Sequence, residues 1–310
     1  MTAIVKTMPG TTAAAPLRQA TVIDLHPEST ATAARRPAIA AAPANPTSTE
    51  ATERFNAVVK AIAGPVSGFV LFILLWQVIS TFIPEIPSPA VTWKAAVVLF
   101  SDPFYNNGPN DQGIGWNVLA SLQRVAFGFG LAAVVGIPTG FVIGRFKTMN
   151  AMFSPVISLL RPVSPLAWLP LGLLLFKGAN LAAIWAIFIC SIWPMIINTA
   201  VGVSRVPQDY MNVARVLNLS EWKIITKVLL PAVLPYMLTG VRLSISTAWL
   251  VIVAAEMLTG GTGIGFWVWD EWNNLKVEHI IIAIFVIGIV GLLLELMLMQ
   301  IAKRFTYSAD

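Results

Sequence analysis

The sequence predicts an all-α integral membrane protein of six transmembrane helices, on three observations. Apolar residues make up 56% of the 310 residues and charged residues only 11%, against about 25% charged in soluble domains. The apolar residues gather into six runs of the ~20 residues a helix needs to cross a bilayer. The Lys and Arg behind the net charge of +5 lie mostly in short segments between those runs, a pattern of membrane orientation rather than of nucleic-acid binding.

Residues 1–54 are rich in Ala, Thr and Pro, contain Arg35-Arg36-Pro37 and show no apolar period. Such a segment buries too little surface to order itself, and it lacks the apolar stretch of a secretory signal; a disordered cytoplasmic tail is expected. Residues 55–115 hold the first span, 61–83, and an outer loop. Residues 116–305 hold five more spans, near 117–144, 149–176, 181–203, 232–258 and 280–302, and residues 306–310 form a short cytoplasmic tail. With the N-terminus inside, the inner loops carry Arg145, Lys147, Arg205, Arg215, Lys223, Lys227, Lys303 and Arg304, and the outer loops only Lys94, Lys177 and Lys276. Both termini are therefore expected in the cytoplasm.

In the second span, Gly136, Gly140 and Gly144 recur every fourth residue and suit close helix packing. The third span is interrupted by Arg161, Pro162, Pro165 and Pro170, which predicts a break near Val163-Ser164 because proline has no N–H and disrupts the helical ladder. Arg161 stands about 15 Å into the span at 1.5 Å per residue, near the midplane. Its sign suits an anion, and Ser164 at the start of the second half-helix offers an anion-receiving N-terminus. Two readings stand side by side: Arg161 and Ser164 line a conduit, or Arg161 pairs within a packing kink. Trp168, Trp185, Trp193 and Trp249 read as bundle filling, with a hydrophobic gate as the second reading. Arg242 and Glu295 lie at matching depth and suggest an ion pair. Arg124 and Glu256 match near the outer ends of their spans and suggest a gate in which Glu256 braces.

The polar segment 206–231 reads as a helix-turn-helix on the inner side. Pro207 suits a first turn, Asn218 a left-handed residue past a helix end, Ser220 an N-cap, and Leu230-Pro231 a stop. Tyr210, Val213, Ala214 and Leu217 form one apolar face, opposite Gln208, Asp209, Asn212 and Arg215. The glycines at 260–265 suggest a tight re-entrant turn on the outer side, with Trp267, Trp269 and Trp272 as interfacial anchors. Cys190 is the single cysteine, which excludes an internal disulfide and a cysteine metal site. His26 and His279 lie far apart, and no nucleotide-binding G-x-x-x-x-G-K-[ST] occurs. An enzyme is not expected.

The inner loop resembles the cytoplasmic coupling loop of permease subunits of binding-protein-dependent ABC importers. Asn212-Val213-Ala214, Asn218 and Leu230-Pro231 stand where that family has Glu-Ala-Ala, Gly and Leu-Pro. The runs Tyr210 to Asn218, Leu234-Pro235-Tyr236-Met237-Leu238-Thr239-Gly240-Val241-Arg242, Ala254-Ala255-Glu256-Met257-Leu258-Thr259-Gly260-Gly261 and Leu160 to Leu171 are similar to the nitrate permease branch. The resemblance covers residues 60–305. It implies the type I importer permease fold in a bacterial inner membrane and two permease copies around one pathway. It also implies an external substrate-binding protein and two ATP-binding subunits that carry ATP and Mg; docking of the binding protein by Asp270, Glu271 and Glu278 is the second reading of the outer turn, beside the interfacial anchors. The ATP-binding subunits would grip Asp209, Tyr210, Asn212, Val213, Ala214, Arg215, Leu217 and Asn218, and this chain would hold no cofactor. Nitrate, with nitrite, is the implied substrate; bicarbonate, cyanate or a small organosulfonate is the alternative. An ATP-independent secondary anion transporter is the competing class, disfavoured because no cluster of membrane carboxylates supplies a coupling-ion site.

Overall fold

The structure, a computed structural model, describes residues 48–108 and 111–305. The expectations for residues 1–47 and 306–310 fall outside the described residues. Two compact units divide the chain at residue 62, and apart from the start of α1 the features below lie in the second, residues 63–310.

The helices are α1 (Ser48–Phe82), α2 (Pro89–Leu99), α3 (Ile114–Arg145), α4 (Lys147–Leu160), α5 (Pro165–Phe176), α6 (Ala179–Ser204), α7 (Gln208–Val216), α8 (Glu221–Ile224), α9 (Leu230–Thr259), α10 (Ile264–Asn273) and α11 (Val277–Phe305). A small hairpin, β1 (Asn106–Gly108) with β2 (Asp111–Gln112), precedes α3. Among the described residues five stretches are long and apolar enough to cross a membrane, and the α4–α5 pair, bent by 100° at residues 161–164, makes a sixth if the two helices count as one span.

The centre of the bundle is α6, packed between α3 and α9. Small residues let these backbones touch. A Cβ at Gly140 would stand 2.7 Å from the Ile196 carbonyl oxygen, and one at Gly144 2.6 Å from that of Ala200. Gly128 and Ala132 extend the every-fourth-residue face toward the start of α3, where Gly128 meets Ile187. On the other side of α6, Gly240 of α9 sits over the Pro194 carbonyl, and Ser244 Oγ donates to the Ser191 carbonyl oxygen at 2.6 Å. In lipid, where there is no hydrophobic drive between helices, such contact and hydrogen bonding hold a bundle together.

One expectation is corrected. Pro231 does not stop the helix: α8, a π-helical turn over Ile225–Leu229 and α9 run without a break from Glu221 to Thr259. Proline lacks an N–H and crowds the carbonyl four residues back. The wider π turn just before Pro231, in which the Leu230 N–H reaches the Ile225 carbonyl, accommodates that defect. The segment 206–231 is thereby continuous with the fifth span.

Candidate functional site

A groove of about 720 Å³ runs between α4 and α6. On α4, Asn150, Ser154, Ser158 and Arg161 recur at i, i+4, i+8 and i+11, so one face of the helix is a polar stripe, and all four line the groove. No residue of α4 is buried. The α6 wall is apolar through Ile196, Ile197 and Val201 and ends in Ser204 and Arg205. Arg161 sits at the break, exposed and with no ion-pair partner among the described residues. Ser164 does not line the groove beside Arg161; it caps α5 by accepting from the Leu166 N–H at 3.3 Å. Arg205 is held by cation–π contact with the Tyr236 ring, 5.6 Å from its centroid. None of the groove residues is acidic. The lining therefore combines cations, amides and hydroxyls, which suits an anion and repels a cation.

At the opposite end, a buried network closes the α9–α10 turn. Asn117, Ser121 and Arg124 stand at i, i+4 and i+7 on α3. The N–H groups of Gly263, Ile264 and Gly265 donate to Asn117 Oδ1 (2.9 Å), Ser121 Oγ (2.9 Å) and Glu256 Oε2 (3.1 Å). Glu256, only 1% exposed, also accepts from Ser121 Oγ at 2.7 Å and from Arg124 Nη1 at 2.6 Å. Arg124 reaches the Thr262 carbonyl oxygen at 2.6 Å and Asn180 Oδ1 at 2.7 Å. The turn needs φ values of 75°, 93° and 155° at Gly260, Gly261 and Gly263, which favour glycine. A Cβ at Gly263 would fall on the Glu256 carboxylate, and one at Gly265 on the Val253 carbonyl. Arg124 and Glu256 thus form the pair the sequence suggests, and its geometry is that of a brace across four helices.

The segment 206–231 has the expected caps. Asn218 lies at φ 48°, the Leu219 N–H donates to the Ala214 carbonyl and the Asn218 N–H to that of Arg215, which is a Schellman closure. Ser220 Oγ accepts from the Lys223 N–H. The division of faces is corrected. Ala214 and Met211 are buried against Ile224, Leu229 and Phe141, so α7 docks on its own chain by that side. Tyr210, Val213, Val216 and Leu217 are exposed, as are Asp209, Asn212 and Arg215, and Arg215 Nη1 donates to Asn212 Oδ1 at 3.2 Å. Ala214 faces the core because a helix this short, held at both ends, needs one side to anchor it.

A family described as the binding-protein-dependent transport system inner membrane component matches residues 136–307. The chain belongs to that family. Nitrate import permease protein NrtB of Leptolyngbya laminosa is 48% identical to this permease over 236 residues, 76% of this chain and 85% of that one. Bicarbonate transport system permease protein CmpB of Synechocystis sp. is 45% identical over 238 residues, with the same coverage of 76% and 85%. A chain of the inward-facing MetNI methionine ABC transporter matches with a TM-score of 0.55 at 15% identity, over 62% of this chain and 95% of that one. The permease therefore has the type I ABC importer fold and is a multi-pass inner-membrane transport subunit.

Within the permease the remaining candidates separate. Trp168 does not line the groove; it packs half-buried against the central core. Arg242 and Glu295 are paired, with Nε to Oε1 at 2.9 Å, on the exposed side of α9 and α11. Of the three outer tryptophans, Trp269 and Trp272 are exposed, but Trp267 is buried and stacked on His279. Glu271 is likewise buried, 2.9 Å from His279 Nδ1 and 3.8 Å from Lys276 Nζ, because α10 turns that side into the bundle. Sequence reasoning missed Asn150, Ser154, Ser158 and Arg205. A signal was present: from residue 112 to residue 208 the sequence contains no Asp or Glu.

Proposed function

We propose that this permease carries nitrate inward through the α4–α6 groove, driven by ATP hydrolysis on two partner subunits. The observation that carries the reading is Arg161, a cation with no ion-pair partner among the described residues, at the break of a span and in a groove lined by uncharged donors, a second cation, Arg205, and no carboxylate. A bare cation in a span costs about 2.5–3.5 kcal/mol on insertion scales, and such residues mark ion pathways. A monovalent oxyanion supplies the missing charge, and the hydroxyls of Ser154 and Ser158 and the amide of Asn150 supply hydrogen bonds below it. A second copy of the permease would complete the conduit on the groove's open side.

The inner loop lies in the cytoplasm, with both termini, by the distribution of basic residues. The exposed Tyr210, Val213, Val216 and Leu217 then meet the ATP-binding subunits, flanked by Asp209, Asn212, Arg215 and Asn218. ATP and Mg stay on those subunits. Their closure moves α7, and the unbroken helix from Glu221 to Thr259 transmits the movement toward Glu256 at the far end. An external binding protein delivers the anion there, over Trp269, Trp272 and Asp270. Bicarbonate is the second reading, favoured by the 45% identity to CmpB of Synechocystis sp.; it is also a monovalent oxyanion and fits the same groove.

The test is ATP hydrolysis by the complex in liposomes, with the binding protein loaded with nitrate or with bicarbonate. Stimulation by the nitrate-loaded protein alone is expected. Stimulation by bicarbonate alone transfers the assignment, and a complex that transports nitrate without ATP contradicts the ATP-driven mechanism.

A further inference from the structure

A second cavity, about 290 Å³, lies where α3 turns into α4, against the end of α6 and the start of α7. It adjoins the groove, with which it shares Asn150 and Ser204. Two cations border it, Arg145 and Lys147, together with Gln208, the first residue of α7. Arg145 Nε is buried and has no hydrogen-bond partner among the described residues, while its Nη2 lies 3.5 Å from Glu221 Oε1. Lys147, Asn150 and Gln208 have no side-chain partner among the described residues. No acidic residue lines the cavity. α4 also starts at Lys147 without a side-chain cap, leaving N–H groups free beside the two cations. Met211 and Leu229, which anchor α7 on the bundle, form the apolar wall.

We infer that this cavity is an oxyanion site, distinct from the groove's Arg161, which takes a small oxyanion or the phosphate of an anionic lipid. A bound oxyanion bridges Arg145 and Lys147 on the α3–α4 corner to Gln208 on α7. Occupancy therefore stiffens the seat of the helix that the ATP-binding subunits move, and so reports the anion content of the inner side to the motor. The site does not depend on which anion the permease transports.

The experiment is protection of Lys147 from an amine-reactive reagent, read by mass spectrometry on the purified full complex. Lys223, outside the cavity, is the reference. Three probes separate the sources: potassium nitrate, inorganic phosphate and phosphatidylglycerol in the detergent micelle, each against potassium chloride or neutral lipid at equal ionic strength. Labelling of Lys147 relative to Lys223 is expected to fall severalfold with at least one probe. The fall is expected to vanish in Arg145→Gln and to persist in Arg145→Lys. Protection by a salt identifies a free oxyanion, and protection by phosphatidylglycerol alone identifies a lipid phosphate. Should Arg145→Gln fail to assemble, Gln208→Leu serves, with weakened protection expected. Equal labelling with all three probes, or protection unchanged in the variant that assembles, overturns the inference while leaving the groove's role intact.

Discussion

The two ends of the bundle satisfy their polar groups in opposite ways. At the turn end, Glu256, Arg124, Ser121 and Asn117 are bonded to one another and to three successive backbone N–H groups, all within this chain. Toward the loop end, Arg161 at the span break and Lys147 and Asn150 at the start of α4 have no side-chain partner among the described residues, and Val216 is 84% exposed. A buried polar network that is fully satisfied specifies one arrangement. An end that leaves cations and apolar side chains open is shaped for something that arrives. The difference suits the first region to bracing and the second to the exchange proposed above.

The contrast can be broken most severely at the turn end. Glu256→Gln leaves Arg124 without its counter-charge in a buried site, and removing one partner of such a pair costs about 3–5 kcal/mol. A large fall in the thermal midpoint of the detergent-purified permease is expected, whatever the anion present. Gly140→Val tests the α3–α6 contact by pushing a side chain into the Ile196 carbonyl and Thr199, with an expected cost of about 1–3 kcal/mol by the same measurement. Asn218→Ala forces a β-carbon residue without a local hydrogen-bonding group into the left-handed region, costing about 1–2 kcal/mol, whereas Asn218→Gly is expected to be neutral or better. The smallest effect on stability sharpens the comparison. Val216→Asp is expected to stay within about 0.5 kcal/mol of the parent and yet to abolish co-purification of the ATP-binding subunits.

How much of this was legible in the sequence follows the range of the interactions. The α4–α5 break, the Asn218 and Ser220 caps and the glycine turn are set by residues within a few positions of one another, and the sequence predicts each of them correctly. The Arg124–Glu256 pair was suggested by depth alone, but its partners Ser121 and Asn180 sit on helices whose rotation no local pattern reveals. The same limit explains Ala214 and Trp267. Each belongs to a face of a short helix, and which face turns inward depends on where α3 and α11 stand. Pro231 was misread because the π turn that absorbs it has no residue signature of its own. The α4 stripe of Asn150, Ser154 and Ser158 is small and uncharged, and within an apolar run such residues carry no signal of their own until the facing wall of α6 is known.

The most direct measurement is uptake of labelled nitrate by the reconstituted complex carrying Arg161→Gln or Arg161→Lys, across external concentrations of the loaded binding protein. A severalfold loss of transport rate in Arg161→Gln, largely restored in Arg161→Lys, with assembly and basal ATP hydrolysis retained, is the result expected if this cation receives the anion. Uptake kinetics in Arg161→Gln indistinguishable from the parent would contradict it and move the conduit away from the α4 groove.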